Sequence, residues 1–239
     1  LTVIDTAEMY ADGGAEEVVG QAIRGLRDRV VLVSKVYPWH AGKAAMHRAC
    51  ENSLRRLQTD YLDMYLLHWR GDIPLQETVE AMEKLVAEGK IRRWGVSNLD
   101  TEDMQALWRT ADGEHCATNQ VLYHLASRGI EYDLLPWCQQ HSLPVMAYCP
   151  LAQAGRLRDG LFQHTDIINM ANARGVTVAQ LLLAWVIRHP GVLAIPKAAS
   201  IEHVVQNAAA LDIVLSAEEL AQLDRLYPPP QRKNRLDMV

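Results

Sequence analysis

Side chains that can hold or transfer a proton accompany three short apolar segments in the first third of this sequence. Asp5 ends the first segment, Lys35 ends the second, His68 follows the third, and Tyr10 lies five residues beyond Asp5. The carboxyl ends of parallel strands meet at one edge of a sheet, so these four side chains are predicted to lie together. A carboxylate, an ammonium, an imidazole and a phenol at one edge indicate a site for proton transfer.

The reduction of a carbonyl group is the chemistry that such a set fits. A hydride that arrives at the carbonyl carbon builds negative charge on the oxygen, which then needs a proton donor and a fixed hydrogen bond. Tyrosine is a weak acid with a reference pKa of about 10. An ammonium such as Lys35 stabilises a phenolate, and a carboxylate such as Asp5 would hold that lysine charged and in place. His68 would orient the carbonyl oxygen.

Compact apolar segments alternate with amphipathic stretches along the whole chain. The apolar segments are typical of strands buried on both faces of a parallel sheet and span Leu1–Asp5, Val30–Lys35, Tyr61–Leu67, Arg93–Val96, Ala117–Val121, Pro144–Tyr148 and Val192–Ile195. Helices are predicted at Ala15–Arg27, Lys43–Leu57, Gln76–Glu88, Thr101–Arg109, Glu131–His141, Ile167–Ala173, Thr177–Arg188, Ile201–Ala210 and Ala217–Leu226. The alternation predicts an α/β fold of right-handed βαβ units in a single domain over residues 1–239.

The number of strands separates two α/β folds. An open doubly wound sheet carries a glycine-rich first turn, and no GxGxxG occurs in this sequence. A closed barrel needs eight strands, one more than the sequence shows. We therefore predict a TIM (β/α)8 barrel whose first β/α unit lies before Leu1, so that the barrel domain is N-terminally incomplete in this chain.

The composition argues against several classes of protein. The 239 residues carry 24 Lys and Arg against 29 Asp and Glu, so the net charge of −5 lacks the basic excess of a nucleic-acid-binding protein. No apolar run reaches the ~18–20 residues of a membrane span, and the N-terminus has no signal-peptide layout. The four cysteines form no CxxC pair and are expected to be reduced core thiols. We expect a cytoplasmic protein without a nucleic-acid or membrane partner.

Several motifs resemble those of the aldo-keto reductase superfamily, in the same order. They are Asp5-Thr6-Ala7-Glu8-Met9-Tyr10, Lys35, Leu66-Leu67-His68-Trp69, Gly95-Val96-Ser97-Asn98 and the segment from Ile195-Pro196-Lys197 to Asn207. The resemblance covers the whole chain. The sequence is similar in particular to the bacterial aldehyde and methylglyoxal reductases. It implies a TIM barrel and the reduction of aldehydes or ketones, small aldehydes such as methylglyoxal included, with NADPH (NADP+) as cofactor.

The resemblance also implies roles for individual residues. Tyr10 would be the general acid, Lys35 and Asp5 would tune it, and His68 would orient the substrate. The implied cofactor-binding residues are Ser97, Asn98 and Gln120 at the nicotinamide carboxamide, Tyr148 on the nicotinamide ring, Pro150 and Leu151 along the pyrophosphate, Lys197 at the 2′-phosphate, and Asn207 at the adenine. His203 stands where the family commonly has an arginine. Because an imidazole is mostly neutral at pH 7, NADH is expected to remain possible at lower preference.

Trp39 and Trp69 are expected to line the opening of a substrate pocket for apolar or planar carbonyl compounds. The protein is expected to be a monomer or a weak oligomer. A first alternative is a non-enzymatic cofactor-binding subunit of the same fold, resembling the potassium-channel β-subunits, which can keep the four proton-transfer residues. A second is a metal-dependent hydrolase barrel, which needs several His and Asp ligands. No HxH or HExxH occurs, and no metal site is predicted.

Overall fold

The structure is a computed structural model that describes residues 1–153 and 155–239. The chain forms two compact units, Leu1–Asn119 and Gln120–Val239, which we name unit 1 and unit 2. The boundary between them falls inside strand β5, Asn119–Leu122. The single domain predicted over residues 1–239 therefore stays a prediction.

The strands of unit 1 pair in chain order and are all parallel. They are β1 (Val3–Asp5), β2 (Val31–Val36), β3 (Leu62–Leu67) and β4 (Ile91–Ser97). The backbone amide of Val96 donates to the carbonyl oxygen of Thr118, so the segment that leads into β5 runs beside β4. Five of the six residues of β2 are buried, as expected for a parallel strand covered on both faces.

Helices follow the strands of unit 1 and cover its sheet. They are α1 (Gly14–Ala22), α2 (Lys43–Leu57), α3 (Leu75–Ala87) and α4 (Thr101–Trp108). The first helix was predicted to continue to Arg27, but it ends at Ala22 and Gly25 follows with a φ of +75°. A left-handed backbone conformation cannot continue a right-handed helix. Asp100 caps α4 through a reciprocal pair of hydrogen bonds with Asp103.

Unit 2 holds the remaining strands, again parallel where their register is defined. Residues 120–122 of β5 are followed by β6 (Val145–Tyr148) and β7 (Val192–Ile195), and Val145 pairs with Val192. The helices are α5 (Leu134–Gln140), α6 (Arg156–Phe162), α7 (Thr165–Arg174), α8 (Val178–Val186), α9 (Ile201–Ala209) and α10 (Ala217–Leu226). Six residues of α8 are buried, which makes this helix part of the core of the unit.

The described residues contain all seven predicted strands and all nine predicted helices, and they add a tenth helix, α6. Helix α6 begins after Gly155, whose φ is +112°, and no side chain caps it, so its N-terminus carries no capping signal. The four cysteines are free, and three of them are buried. Within the described part of the chain no single helix is long and apolar enough to cross a membrane; α7 and α8, bent by 93°, meet that test of length and composition only as a pair.

Candidate active site

Lys35 lies at the centre of a buried hydrogen-bonded group in unit 1. Its side chain is fully buried on β2. The Nζ atom lies 2.6 Å from Oδ2 of Asp5, 2.9 Å from the carbonyl oxygen of Thr6 and 3.0 Å from the hydroxyl oxygen of Tyr10. A buried ammonium is stable only when its charge and its protons are paired. The three acceptors come from β1 and the turn after it, so the structure brings Asp5, Tyr10 and Lys35 together.

The turn that carries Tyr10 has an unusual backbone. It runs from Tyr10 to Gly13 between β1 and α1. Ala11 and Asp12 have φ values of +51°, and Gly13 has a φ of +91°. Residues other than glycine adopt this left-handed region at an energetic cost that their surroundings must offset. The Tyr10 ring at the start of this turn lies beside Lys35, whose Nζ is 4.7 Å from the ring centroid.

His68 follows β3 and is held as a neutral imidazole. Burial and the positive charge of Lys35 lower the pKa of His68 to about 3. The imidazole meets the Tyr10 ring edge to face, at 5.8 Å between centroids. Its Nδ1 atom is buried and has no hydrogen-bond partner among the described residues. A neutral imidazole donates one hydrogen bond and accepts one, which suits it to orient a carbonyl oxygen.

Ser97 and Asn98 lie beside His68 at the end of β4. The Asn98 Nδ2 atom donates to the carbonyl oxygen of His68 at 3.1 Å and to Oγ of Ser97 at 3.2 Å. Asn98 has a φ of +58°, so the chain turns sharply at this point. The structure therefore groups these two predicted cofactor-binding residues with the proton-transfer residues of unit 1.

An aromatic cluster extends from His68 toward solvent. Trp69 lies 5.0 Å from the His68 ring and 5.7 Å from the Trp39 ring, and Tyr37 stacks on Trp39 at 4.3 Å between centroids. Trp39 is 59% exposed. The structure groups the two predicted substrate-pocket residues and adds Tyr37, which the sequence analysis missed. Its place in Tyr37-Pro38-Trp39, directly after β2, was the available signal.

Glu8 fixes the position of this aromatic cluster relative to the Tyr10 turn. Its Oε1 atom accepts a hydrogen bond from the backbone amide of Tyr37 at 2.7 Å and lies 3.2 Å from Nδ1 of His40. Glu8 is buried and stands two residues before Tyr10. The segment that carries Tyr10 and the segment that carries Trp39 are therefore joined by a carboxylate.

In unit 2, the predicted cofactor-binding residues of β5 and β6 lie at or beside the ends of their strands. The Nε2 atom of Gln120 is 3.8 Å from Sδ of Met146 on β6. Tyr148 ends β6, and Pro150 and Leu151 follow. Arg158, which was not predicted from the sequence, contacts this loop. Its Nη1 atom donates to the carbonyl oxygen of Leu151 at 3.0 Å, and its guanidinium lies 4.2 Å from the centroid of the Phe162 ring.

A cavity of about 270 Å³ brings the other predicted residues of unit 2 together. Lys197, His203 and Asn207 line it with Leu151, Arg158 and Phe162. None of the described lining residues carries a carboxylate, and the two permanent cations favour an anion. The apolar side chains offer a surface for a planar ring. The cavity thus combines features that fit a phosphorylated nucleoside.

Clusters that could hold a metal ion are absent from residues 1–153 and 155–239, where no group of three His, Cys, Asp or Glu side chains has suitable geometry. Asp5 and Tyr10 instead contact Lys35. The arrangement in unit 1 is suited to transfer a proton to an oxygen atom that His68 orients.

Comparison with known proteins decides the family. The profile of the Aldo/keto reductase family matches residues 1–228. This chain belongs to the aldo/keto reductase family. Over 239 residues it is 67% identical to the methylglyoxal reductase YeaE of Escherichia coli (strain K12), a match that covers all of this chain and 84% of that protein. It is 35% identical to the glyoxal reductase of Bacillus subtilis (strain 168), over 93% of this chain and 78% of that protein.

Solved structures of the family agree with this assignment. An aldo/keto reductase from Klebsiella pneumoniae, in complex with NADP and acetate, is 99% identical with a TM-score of 0.98. An aldo-keto reductase from the same organism, in complex with NADPH, is 98% identical with a TM-score of 0.99. Each match covers all of this chain and 84% of the other chain.

These comparisons settle three of the predictions made from the sequence. The family identification is confirmed, and so is the fold class, the (β/α)8 barrel of the aldo-keto reductases. The predicted enzyme class, an oxidoreductase of this family, is confirmed as well. The alternative of a metal-dependent hydrolase barrel is wrong, because the family match extends over residues 1–228.

Proposed function

We propose that this chain reduces aldehydes and ketones with NADPH, small aldehydes such as methylglyoxal among them, and that Tyr10 is the general acid. The observation that carries the proposal is the contact of one buried ammonium, Lys35, with both Asp5 and Tyr10. The identity of 67% to a methylglyoxal reductase supports the choice of substrate class. The Klebsiella structures, which hold NADP and NADPH, support the choice of cofactor.

The residues of each unit fit parts of this cofactor. In unit 2, Lys197 and Arg158 supply positive charge for its phosphates, and Asn207 lines the same cavity for its adenine. We assign Ser97, Asn98 and Gln120 to the nicotinamide carboxamide and Tyr148 to the nicotinamide ring. NADPH, when bound, supplies the hydride for the carbonyl carbon. NADH is the less favoured cofactor, because it lacks the 2′-phosphate that Lys197 would meet. The imidazole at position 203 carries less positive charge than an arginine, which reduces this preference.

The proton for the carbonyl oxygen comes from Tyr10 in this mechanism. Because Lys35 is the donor in its contact with the Tyr10 oxygen, the hydroxyl proton of Tyr10 is not used in that contact. When the proton leaves, the ammonium 3.0 Å away stabilises the phenolate, and Asp5 holds the ammonium in place. His68, neutral and beside the Tyr10 ring, donates a hydrogen bond that orients the oxygen. A positioned acid of this kind contributes about 10²–10⁴-fold to the rate.

The aromatic cluster indicates which carbonyl compounds reach the site. Tyr37, Trp39 and Trp69 form one wall beside His68, and the exposed face of Trp39 leaves the wall open to solvent. Such a wall accepts small aldehydes and binds planar apolar groups by stacking. We therefore include aromatic aldehydes in the substrate class.

Two titrations test this proposal. The quenching of tryptophan fluorescence is measured with NADPH and with NADH, and methylglyoxal is then added while the nicotinamide absorbance is followed. We expect tighter binding of NADPH and loss of its absorbance on addition of the aldehyde. Binding without turnover on a panel of aldehydes, together with sedimentation as a stable tetramer, would favour the non-enzymatic subunit. No binding of either nucleotide would overturn the proposal.

A further inference from the structure

An ion pair with a fully buried carboxylate lies beneath the turn that carries Tyr10. Glu16 is fully buried, and its Oε2 atom accepts a hydrogen bond from Nε of Arg56 at 2.7 Å. Its Oε1 atom accepts a second hydrogen bond from Oγ of Ser34 at 2.5 Å. Because removal of one partner would leave a charge buried and unpaired, such a pair resists opening.

Glu16 and its partner Ser34 belong to the helix that follows the Tyr10 turn and to the strand that holds Lys35. Glu16 lies in the first turn of α1, which begins at Gly14, directly after the Tyr10 turn. Ser34 is on β2, one residue before Lys35. One carboxylate therefore connects the helix that follows Tyr10 to the strand that holds Lys35.

Arg56 also contacts the Tyr10 turn itself. A Cβ atom built at Gly13 would lie 2.7 Å from both Cδ and Nε of Arg56, so the arginine packs directly against the backbone of the turn. A Cβ atom at Gly20, one turn of α1 beyond Glu16, would lie 2.6 Å from the carbonyl oxygen of Arg56. The last turn of α2 thus supports both the turn and the helix that follows it.

This support matters because the turn is strained. Three consecutive residues of the turn, 11 to 13, have positive φ values, and such a conformation persists only where surrounding contacts impose it. We propose that Arg56 and Glu16 are positioning residues for Tyr10. They hold the turn so that the hydroxyl oxygen of Tyr10 stays 3.0 Å from Nζ of Lys35. The inference rests on the proposed function of Tyr10 as the general acid. Neither residue touches the reacting atoms.

Substitution of Arg56 tests this inference against a purely structural role. We expect Arg56→Met to lower kcat by about ten- to a hundredfold, because a shift of about 1 Å in a reacting group has effects of that size. The Kd for NADPH and the KM for methylglyoxal stay within about twofold, since those sites keep their residues. The solvent deuterium isotope effect on kcat rises, because proton transfer becomes slower. Arg56→Lys restores part of kcat, and Arg55→Met, at an exposed arginine that contacts Asn52, changes nothing.

A pair of glycine variants gives a second test should Arg56→Met fold poorly. Gly13 and Gly25 both have positive φ values, +91° and +75°, so alanine strains the backbone at either position. A Cβ atom at Gly25 meets no atom within 4 Å, whereas a Cβ atom at Gly13 would push Arg56 away from Glu16. We expect Gly13→Ala to lower kcat and raise the isotope effect, and Gly25→Ala to leave both unchanged.

Tyr10→Phe separates the failure of this inference from the failure of the proposed function. An active Tyr10→Phe variant would remove the proposed function and this inference with it. If Tyr10→Phe is inactive while Arg56→Met and Gly13→Ala keep the kcat of the unaltered chain, the proposed function stands and the positioning role is wrong. A loss of kcat and of NADPH binding in proportion to the unfolded fraction, measured by circular dichroism, would also reduce Arg56 to a structural role.

Discussion

The positive charge of Lys35 disfavours protonation of His68. Together with burial, which is the larger cause, that charge lowers the pKa of His68 to about 3. The same ammonium donates a hydrogen bond to the Tyr10 oxygen. One buried cation therefore keeps one neighbouring side chain uncharged and stabilises negative charge on another, which is the division of roles that protonation of an oriented carbonyl oxygen requires.

The stability of the chain is expected to fall in mild acid because two histidines are buried in the neutral form. Burial lowers the pKa of His124 to about 4, and that of His68 is about 3, whereas both are near 6.5 in the unfolded chain. As the pH falls, the unfolded state therefore binds protons first. The contribution of the two histidines to the free energy of unfolding is complete above pH 6.5 and is lost as the pH falls toward 4 and 3. The slope is at most about 1.4 kcal/mol per pH unit for each histidine.

Urea unfolding at several values between pH 7.5 and pH 4.5 measures this slope. His124→Gln removes one titrating group and should flatten the dependence of the unfolding free energy on pH. His203→Gln is the control, because His203 is exposed. If the unfolding free energy of His124→Gln depends on pH as steeply as that of the unaltered chain, His124 does not make this contribution.

Tyr10→Phe is expected to lose nearly all reductase turnover, by about 10²–10⁴-fold, because only the proton donor is removed. Fluorescence quenching by NADPH should be retained, since the cofactor-binding residues are unchanged. Tyr132→Phe, at a tyrosine that is 47% exposed, serves as the control and should keep full turnover. Comparable turnover in the two variants would exclude Tyr10 as the acid.

Lys197→Ala is expected to raise the KM for NADPH by about tenfold more than the KM for NADH, because only NADPH has the 2′-phosphate that this cation would meet. Steady-state kinetics with both cofactors measure the ratio. Lys233→Ala, at a lysine that pairs with Asp133 at 2.7 Å, is the control for loss of one surface charge. Equal effects on NADPH and NADH would count against the phosphate role of Lys197.

Arg158→Ala is expected to raise the KM values for NADPH and NADH by similar factors, of about three- to tenfold. Arg158 donates to the carbonyl oxygen of Leu151, in the loop assigned to the pyrophosphate, and both cofactors carry that group. Arg156→Ala, at an exposed arginine of the same helix, is the matched control. A rise in KM that is confined to NADPH would instead assign Arg158 to the 2′-phosphate.

Trp39→Ala is expected to raise the KM for benzaldehyde by about three- to tenfold, since aromatic contacts of this kind are worth about 0.5–1.5 kcal/mol. The KM for methylglyoxal, which has no ring to stack, should change less than twofold. Trp137→Ala is the control, because that residue stacks on His141 at 3.9 Å and belongs to α5. Equal changes for the two aldehydes would show that Trp39 does not select aromatic rings.

Regular elements were the most predictable part of the fold, since their signals are local. The bounds of Lys43–Leu57, Ala217–Leu226 and Val192–Ile195 agree with the structure at both ends. Ser216 caps the helix Ala217–Leu226 in a reciprocal pair with Glu219. Thr101 is the first residue of α4, and its neighbour Asp100 is the cap. Both residues can cap a helix, so local sequence alone does not decide between neighbours.

The residues that support the site were harder to find. Asp5, Lys35 and His68 mark strand ends, and a strand end is visible in the sequence. Arg56 lies inside a helix with no sign that it reaches the Tyr10 turn, and Arg158 belongs to a seven-residue helix that was not predicted. Contacts of this kind depend on how helices pack, which single-sequence periodicity does not encode.

The three hydrogen bonds of Lys35 have a chemical consequence for the proposed reduction of reactive dicarbonyl compounds. An amine attacks an aldehyde only through a free electron pair, and such adducts inactivate lysine side chains that are open to solvent. The three protons of the Lys35 ammonium are held by Asp5, Thr6 and Tyr10, and the side chain is fully buried. The lysine nearest to the proposed acid is thereby protected from covalent damage by the compounds that the enzyme would turn over.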